Sequence, residues 1–385
     1  MNSTTKAAKP YINELGIVRA LAILSVIFVH ATSKVETMLE STATLYPVYN
    51  FMNAFLKIGT TTFIFLSAFV LFYSYRDREF TLGSFKGFYL KRIQYILIPY
   101  VLFSAIYYLL QLYYKGTLID FNWDNVTSFF AQLLRGKAYA HLYFVFVNVQ
   151  FYILFPFLLL YFKKWPKMAK HALWIGFVIQ WAFIYLNMYY IKYPYKGSIS
   201  FSYMSHYFLG IFVAFYYDQF MNFLRSRWKY LLWALWLAAS AVQGTFITLQ
   251  RMGEAKFHLR LLDLTWNLHT WLSAIVLFQA AFWLYKKLGP KLRYWLLHLG
   301  ACSFGVYLLH PLILFITRRY LDTGNALLYQ LAVVAAFFIA LFVSWFIIAL
   351  IQKLPMHWIL IGKTQLPKRA QQQKVTSSGS VDRSL

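Results

Sequence analysis

Apolar residues run along this chain in blocks of roughly 18 to 27, split by short polar breaks, from near residue 15 to residue 352. A helix needs about 20 such residues to cross ~30 Å of hydrocarbon. The pattern therefore predicts an all-α, polytopic membrane bundle. Ten spans are expected, near 15–32, 51–75, 93–114, 142–162, 171–191, 201–217, 230–249, 267–285, 299–317 and 326–352. Residues 1–14 form a short polar lead. Residues 353–385 form a polar tail whose Gln371–Lys374 and Ser377–Ser380 runs read as disordered. No soluble domain fits between the blocks, so any chemistry is expected within residues 15–352 or at the faces of that bundle.

Composition sharpens this. Of 385 residues, 60% are hydrophobic and 13% charged, where a soluble domain carries about a quarter charged. A soluble enzyme, a disordered chain and a fibrous protein are excluded. Lys and Arg number 37 against 12 Asp and Glu, a formal charge of +25. In a soluble protein that surplus would point to nucleic acid; here positive loops on the cytoplasmic side account for it, and no nucleic-acid partner is expected. With the N-terminus inside, 24 basic residues fall on cytoplasmic pieces and 11 in outer loops. Both termini are thus expected in the cytoplasm. Arg19 interrupts the first apolar stretch, which is expected to be a retained helix rather than a cleaved signal. The single cysteine, Cys302, allows no intramolecular disulfide.

Ionisable groups inside a membrane are costly and mark function by default. They are few: Arg19, His30, Lys57, His171, His206, His269 and His310, with no Asp or Glu in any expected span. Acid–base work, if there is any, falls to histidine. His30 and His310 fall near the outer ends of their helices, His206 and His269 near outer starts, and His141 just before the fourth span. Interfacial histidines also favour the headgroup zone, as Tyr and Trp do. Arg19 and His30 stand eleven residues apart, which on a helix is about 20° from three full turns and about 16 Å of rise, so both share one face. An arginine near the inner end can hold a phosphate while a histidine one phosphopantetheine arm away works at the outer end. A snorkelling arginine and an interfacial histidine are the plainer alternative.

Several segments resemble the acyltransferase family 3 of bacterial integral-membrane O-acyltransferases. Glu14–Ala20 followed by His30 is similar to its Arg-x10-His signature, and Phe63–Phe69 to its Phe-Leu-Ser-Gly-Phe segment, with Ala68 where the family has Gly. Tyr89–Tyr100 resembles its basic approach to the third helix, His141–Tyr152 its His-Leu-Trp segment, and Phe304–Pro311 its Tyr-Leu-Leu-His motif. The usual Arg-x-x-Arg is incomplete, since Gln94 and Tyr95 follow Lys91 and Arg92 at the third position on. Lys91–Tyr100, Gln150-Phe151 and Ile361-Gly362-Lys363 look most like the stand-alone members encoded with biofilm exopolysaccharide synthesis. Those resemble O-succinyltransferases of poly-N-acetylglucosamine and were earlier regarded as exporters of it.

The resemblance implies an acyl-CoA donor, acetyl- or succinyl-CoA, on the cytoplasmic side and a polysaccharide hydroxyl as acceptor outside, with no metal. Arg19, Lys91 and Arg92 would engage donor phosphates. His30 would be the base and His310 a second catalytic candidate, with Ser67, His141 and Tyr143 positioning substrate. The lipid bilayer, the glycan and a glycosyltransferase are the implied partners. The rival reading is an exporter or flippase of polysaccharide or lipid-linked sugar. Against it stand the missing buried carboxylates and the lack of a nucleotide-binding signature. A non-catalytic scaffold for a synthase is the third reading.

Overall fold

In hydrocarbon every backbone N–H and C=O must find its partner within the protein, and a helix does this inside one segment. The computed structural model describes residues 12–35, 43–119, 122–320 and 326–364; among them helices dominate and no strand occurs. In chain order these are α1 (Leu15–Thr32), α2 (Tyr46–Phe55), α3 (Gly59–Tyr75), α4 (Leu82–Arg92), a π-helical turn (Ile93–Leu97), α5 (Ile98–Tyr114) and α6 (Trp123–Leu133). They continue as α7 (Tyr143–Lys164), α8 (Ala172–Leu186), α9 (Met204–Phe215), α10 (Tyr217–Arg225), α11 (Trp228–Met252), α12 (Leu259–Lys287), α13 (Pro290–Tyr320), α14 (Ala326–Ile351) and α15 (Trp358–Ile361).

Nine helical segments among the described residues are long and apolar enough to cross a membrane, one fewer than the pattern predicts. The difference lies at 201–217, where a 3-10 turn, Ser200–Tyr203, leads into an α9 of only 12 residues. Twelve residues rise about 18 Å, short of the hydrocarbon thickness. Two ionisable residues expected within spans fall at breaks in the α-helical runs of the candidate spans Tyr46–Tyr75 and Pro166–Ile191. Lys57 is exposed in the break between α2 and α3, and His171 is exposed at the end of the 3-10 helix Pro166–His171. Large apolar side chains such as Trp174 on α8 (70% exposed) and Phe346 on α14 (65%) point outward, as a lipid-facing surface requires.

Neighbouring helices approach closely where side chains are absent, the usual means of packing in a membrane. A Cβ on Gly300 of α13 would strike the carbonyl of Gly16 on α1. A Cβ on Gly210 of α9 would lie 2.5 Å from the Phe65 carbonyl and 2.7 Å from the Ala68 methyl of α3. Ala68 thus stands against a glycine on the facing helix, which leaves room for its methyl.

Ring and hydrogen-bond contacts give helix directions. α3 and α7 run alike, from Phe63 beside Phe144 at 6.0 Å to Phe72 beside Phe162 at 6.3 Å. α9 runs with them, since Tyr207 stacks on Phe151 at 4.1 Å and Phe215 meets Phe162 at 5.8 Å. α12 also runs with α3, from His269 on the Phe55 carbonyl (3.0 Å) to Phe278 beside Phe69 (5.5 Å). α11 runs against α12, with Thr265 donating to Gln243 at 2.5 Å and Trp233 to Gln279 at 2.8 Å. Part of the expected tail is folded: α15 ends at Gly362, whose φ of +65° favours glycine and where a Cβ would lie within 2.4 Å of the Tyr95 carbonyl. The polar runs at 371–380 lie outside the described residues.

Gly300→Ala is expected to destabilise the bundle by about 1–3 kcal/mol, because the methyl forces α1 and α13 apart. The measurement is a thermal unfolding curve in detergent. An unchanged midpoint would show that this contact tolerates separation.

Candidate active site

Histidines of the bundle divide into two kinds by their hydrogen bonds. His206 is buried with one ring nitrogen 3.0 Å from the Thr270 hydroxyl and the other 3.3 Å from Ser205, which itself donates to Gln180 at 2.8 Å. His269 is buried between Ser240 at 2.8 Å and the Phe55 carbonyl at 3.0 Å. Both nitrogens of each ring are used, so these two tie helices together.

The second kind converges. His30 of α1 and His310 of α13 lie 5.3 Å apart between ring centroids, and His141, just before α7, is 5.8 Å from His310 and 6.4 Å from His30. Both ring nitrogens of His141, and Nε2 of His310, are buried without a hydrogen-bond partner among the described residues. Such groups cost free energy unless they serve something. His310 Nδ1 lies 3.0 Å from the Val306 carbonyl. A carbonyl only accepts, so Nδ1 carries the proton and Nε2 keeps its lone pair. Burial first, then the imidazoles of His310 and His30, hold His141 well below the ordinary histidine range, so it is a neutral ring.

Local sequence builds this cluster. Pro311 denies α13 one backbone donor. Tyr107 of α5 enters at that point: its hydroxyl donates to the Leu308 carbonyl at 2.8 Å and accepts from the Leu312 N–H at 3.1 Å. Its ring stacks on Tyr139 at 4.4 Å and meets His141 at 5.1 Å. Arg318, at the end of α13, donates to the carbonyls of His30 and Ala31 and to the Ser33 hydroxyl. A cation at the C-terminal end of α1 is favourable there and holds the turn that carries His30.

A cavity of about 250 Å³ opens from the other end of the bundle. Its walls include Arg19, Ser67, Arg92, Asn148, Ser303 and Tyr307. The Arg19 guanidinium has no hydrogen-bond or ion-pair partner among the described residues, whereas Arg92 lies over the rings of Phe88 (4.3 Å) and Tyr152 (5.3 Å). The π turn after Arg92 places Ile96 in the same wall; such turns recur at functional sites. Tyr307 closes the cavity toward the histidines. Its ring is 5.3 Å from His141 and 5.9 Å from His310, and its hydroxyl donates to the His141 carbonyl.

Of the residues singled out in the sequence, Arg19, Arg92 and Ser67 thus share one cavity, and His30, His141 and His310 share one cluster. Lys91 is exposed and outside that wall. Tyr143 lines a different cavity, at the histidine end. Arg318 and Tyr107 escaped sequence reasoning, and Tyr307 entered it only as part of the Phe304–Pro311 motif, without a role. Pro311 was their one available signal, since an interior proline calls for a group to serve the freed backbone.

The family described as "Acyltransferase domain", Acyl_transf_3, matches residues 12–349. The chain belongs to this family. A relative from Staphylococcus aureus (strain MSSA476), "Probable poly-beta-1,6-N-acetyl-D-glucosamine export protein", is 26% identical over 310 residues, covering 77% of this chain and 80% of that one. "Putative membrane-bound acyltransferase YfiQ" of Bacillus subtilis (strain 168) is 26% identical over 386 residues, covering 95% and 97%. No solved structure matches the chain. An acyltransferase of the membrane is thereby established; every segment quoted for the resemblance except Ile361–Lys363 falls within the matched span.

His206→Leu is expected to cost about 1–3 kcal/mol of stability, because Thr270 and Ser205 lose a buried partner. Thermal unfolding in detergent reads it. Equal midpoints for His206→Leu and wild type would remove the structural role.

Proposed function

We propose that the chain moves an acetyl or succinyl group from cytoplasmic acyl-CoA to hydroxyls of a polysaccharide outside a bacterial cytoplasmic membrane. One observation carries this: an unpartnered guanidinium in a cavity that ends, at Tyr307, against a cluster of imidazoles with unused nitrogens. A cation held in a membrane without a counter-charge fits an anionic ligand. Arg19 and Arg92 would hold donor phosphate, with Lys91 available at the surface. The cavity is small against the ~300–1,000 Å³ of ordinary ligand pockets; it suits the acyl-pantetheine arm rather than the whole donor.

His30 would take the proton of the acceptor hydroxyl, or of a protein group that accepts the acyl first. His310, with its Nε2 lone pair free, is placed to share that proton. The acceptor oxygen then bonds to the thioester carbon, the C–S bond breaks, and the thiolate leaves and is reprotonated. Ser67 sits in the cavity wall, where its hydroxyl can orient the thioester. The exporter reading gains little from these walls, because a cavity of this size that stops at Tyr307 gives a glycan chain no passage.

The same directions of packing support both ends lying in the cytoplasm. α9 runs with α3, α7 and α12, while α11 runs against α12. A chain that turns back between α8 and α11 through α9 and its 3-10 lead together would make ten passes. An even number of passes, with the charge bias, would leave both termini inside.

His30→Ala is expected to abolish acyl transfer with normal membrane insertion, and Arg19→Ala to raise the donor KM about tenfold or more. Labelled acetyl- and succinyl-CoA transfer to surface glycan measures both. Full acylation with the His30 variant would defeat the assignment. Independently, reporters fused at the two ends should both report cytoplasm; opposite sides would remove α9 as a pass.

A further inference from the structure

The second cavity, about 450 Å³ at the histidine end, is lined largely by polar and aromatic side chains of α2, α7, α11, α12 and the turns between α8 and α9. Its volume falls within the ~300–1,000 Å³ range of small-ligand sites. Two of its polar atoms are buried without a hydrogen-bond partner among the described residues: the Ser198 hydroxyl, on a residue 1% exposed, and the Trp266 indole N–H. A buried donor left unmade is costly, and here both unused donors belong to residues of one wall.

The rest of the wall is held in place from behind. Gln243 accepts from Thr265 at 2.5 Å, Arg251 donates to Asn50 at 2.9 Å, and Asp263 is paired with Lys196 at 2.7 Å. Lys137 lies 4.5 Å over the Tyr195 ring. These groups are fixed before any ligand arrives, which lowers the cost of ordering them.

The cavity also touches the turns that carry the histidines. Asn53, in its wall, donates to the Val29 carbonyl at 3.0 Å and the Thr32 hydroxyl at 2.7 Å, on either side of His30. Ala140, also in the wall, immediately precedes His141.

From this arrangement we infer that the second cavity is the acceptor site and binds one sugar unit of a glycan, with Ser198 and Trp266 as its hydrogen-bonding contacts. Sugars present many hydroxyls and an apolar ring face, which answers unused donors beside an indole. Lys57, Lys137 and Tyr143 frame the space around that unit. The inference rests on the proposed acyl transfer only for the word acceptor; binding of the glycan stands apart from it.

The test uses the full chain in detergent with a labelled β-1,6-linked N-acetylglucosamine oligomer as probe, measuring equilibrium binding. Ser198→Ala and Trp266→Phe are expected to weaken binding about tenfold each. Lys170→Ala, an exposed position in neither cavity wall, should leave it unchanged. Trp266→Phe keeps an aromatic ring, so a folding defect is separable by thermal unfolding of the same samples. No binding by wild type, or equal binding by wild type and both variants, overturns the site. Transfer of label from acetyl- or succinyl-CoA to the oligomer is scored alongside. Intact binding with no transfer by wild type overturns the proposed function and leaves the sugar site standing.

Discussion

The backbone contact between α1 and α13 governs the rest of this molecule. With hydrogen atoms as side chains at Gly16 and Gly300, the two helices meet near one end of the bundle without any spacer. At the other end Arg318 reaches from α13 to the last carbonyls of α1. Held at both ends, the pair brings His30 against His310 and turns Arg19, Ser303 and Tyr307 toward one cavity. In a membrane there is no hydrophobic force between helices to achieve this, so close packing and hydrogen bonds must.

Those hydrogen bonds are distributed unevenly, and the unevenness separates support from chemistry. The network from Gln180 through Ser205 and His206 to Thr270, with Ser240–His269 beside it, is satisfied at every ring nitrogen. It fastens α8, α9, α11 and α12. The neighbouring trio has unused nitrogens at the same kind of depth. A fold can keep such groups only where surrounding contacts over-determine their positions, and here Tyr107, Tyr307 and Arg318 supply those contacts.

Sequence periodicity reveals much of this and misses the rest for definable reasons. Arg19 and His30 share a face because helical geometry is regular, and both do turn toward α13. Spacing within one helix says nothing about what faces it, so Arg318 stays unremarked and Tyr307, though part of a motif, gains no role. Apolarity likewise cannot separate a lipid-facing helix from a buried short one, and α9, interior almost throughout, reads as an ordinary span. His206 and His269 look as promising as His30 in sequence; only their hydrogen-bond partners, three of them 29 to 214 positions away, show that they are structural. Lys57 falls in a break because Gly59 opens a new helix packed against Ala22 and Ser25, a contact invisible along the chain.

Tyr307 is where the two halves of the proposed reaction meet. A thioester on one side and a sugar on the other must react without an open channel, since a continuous aqueous path would leak ions and expose the thioester to water. The two cavities have no wall residue in common, and the Tyr307 ring stands between the first cavity and the histidines. Its hydroxyl is tethered to the His141 carbonyl, one residue after the Ala140 wall of the second cavity. A single hydrogen bond thus links the partition to the acceptor side.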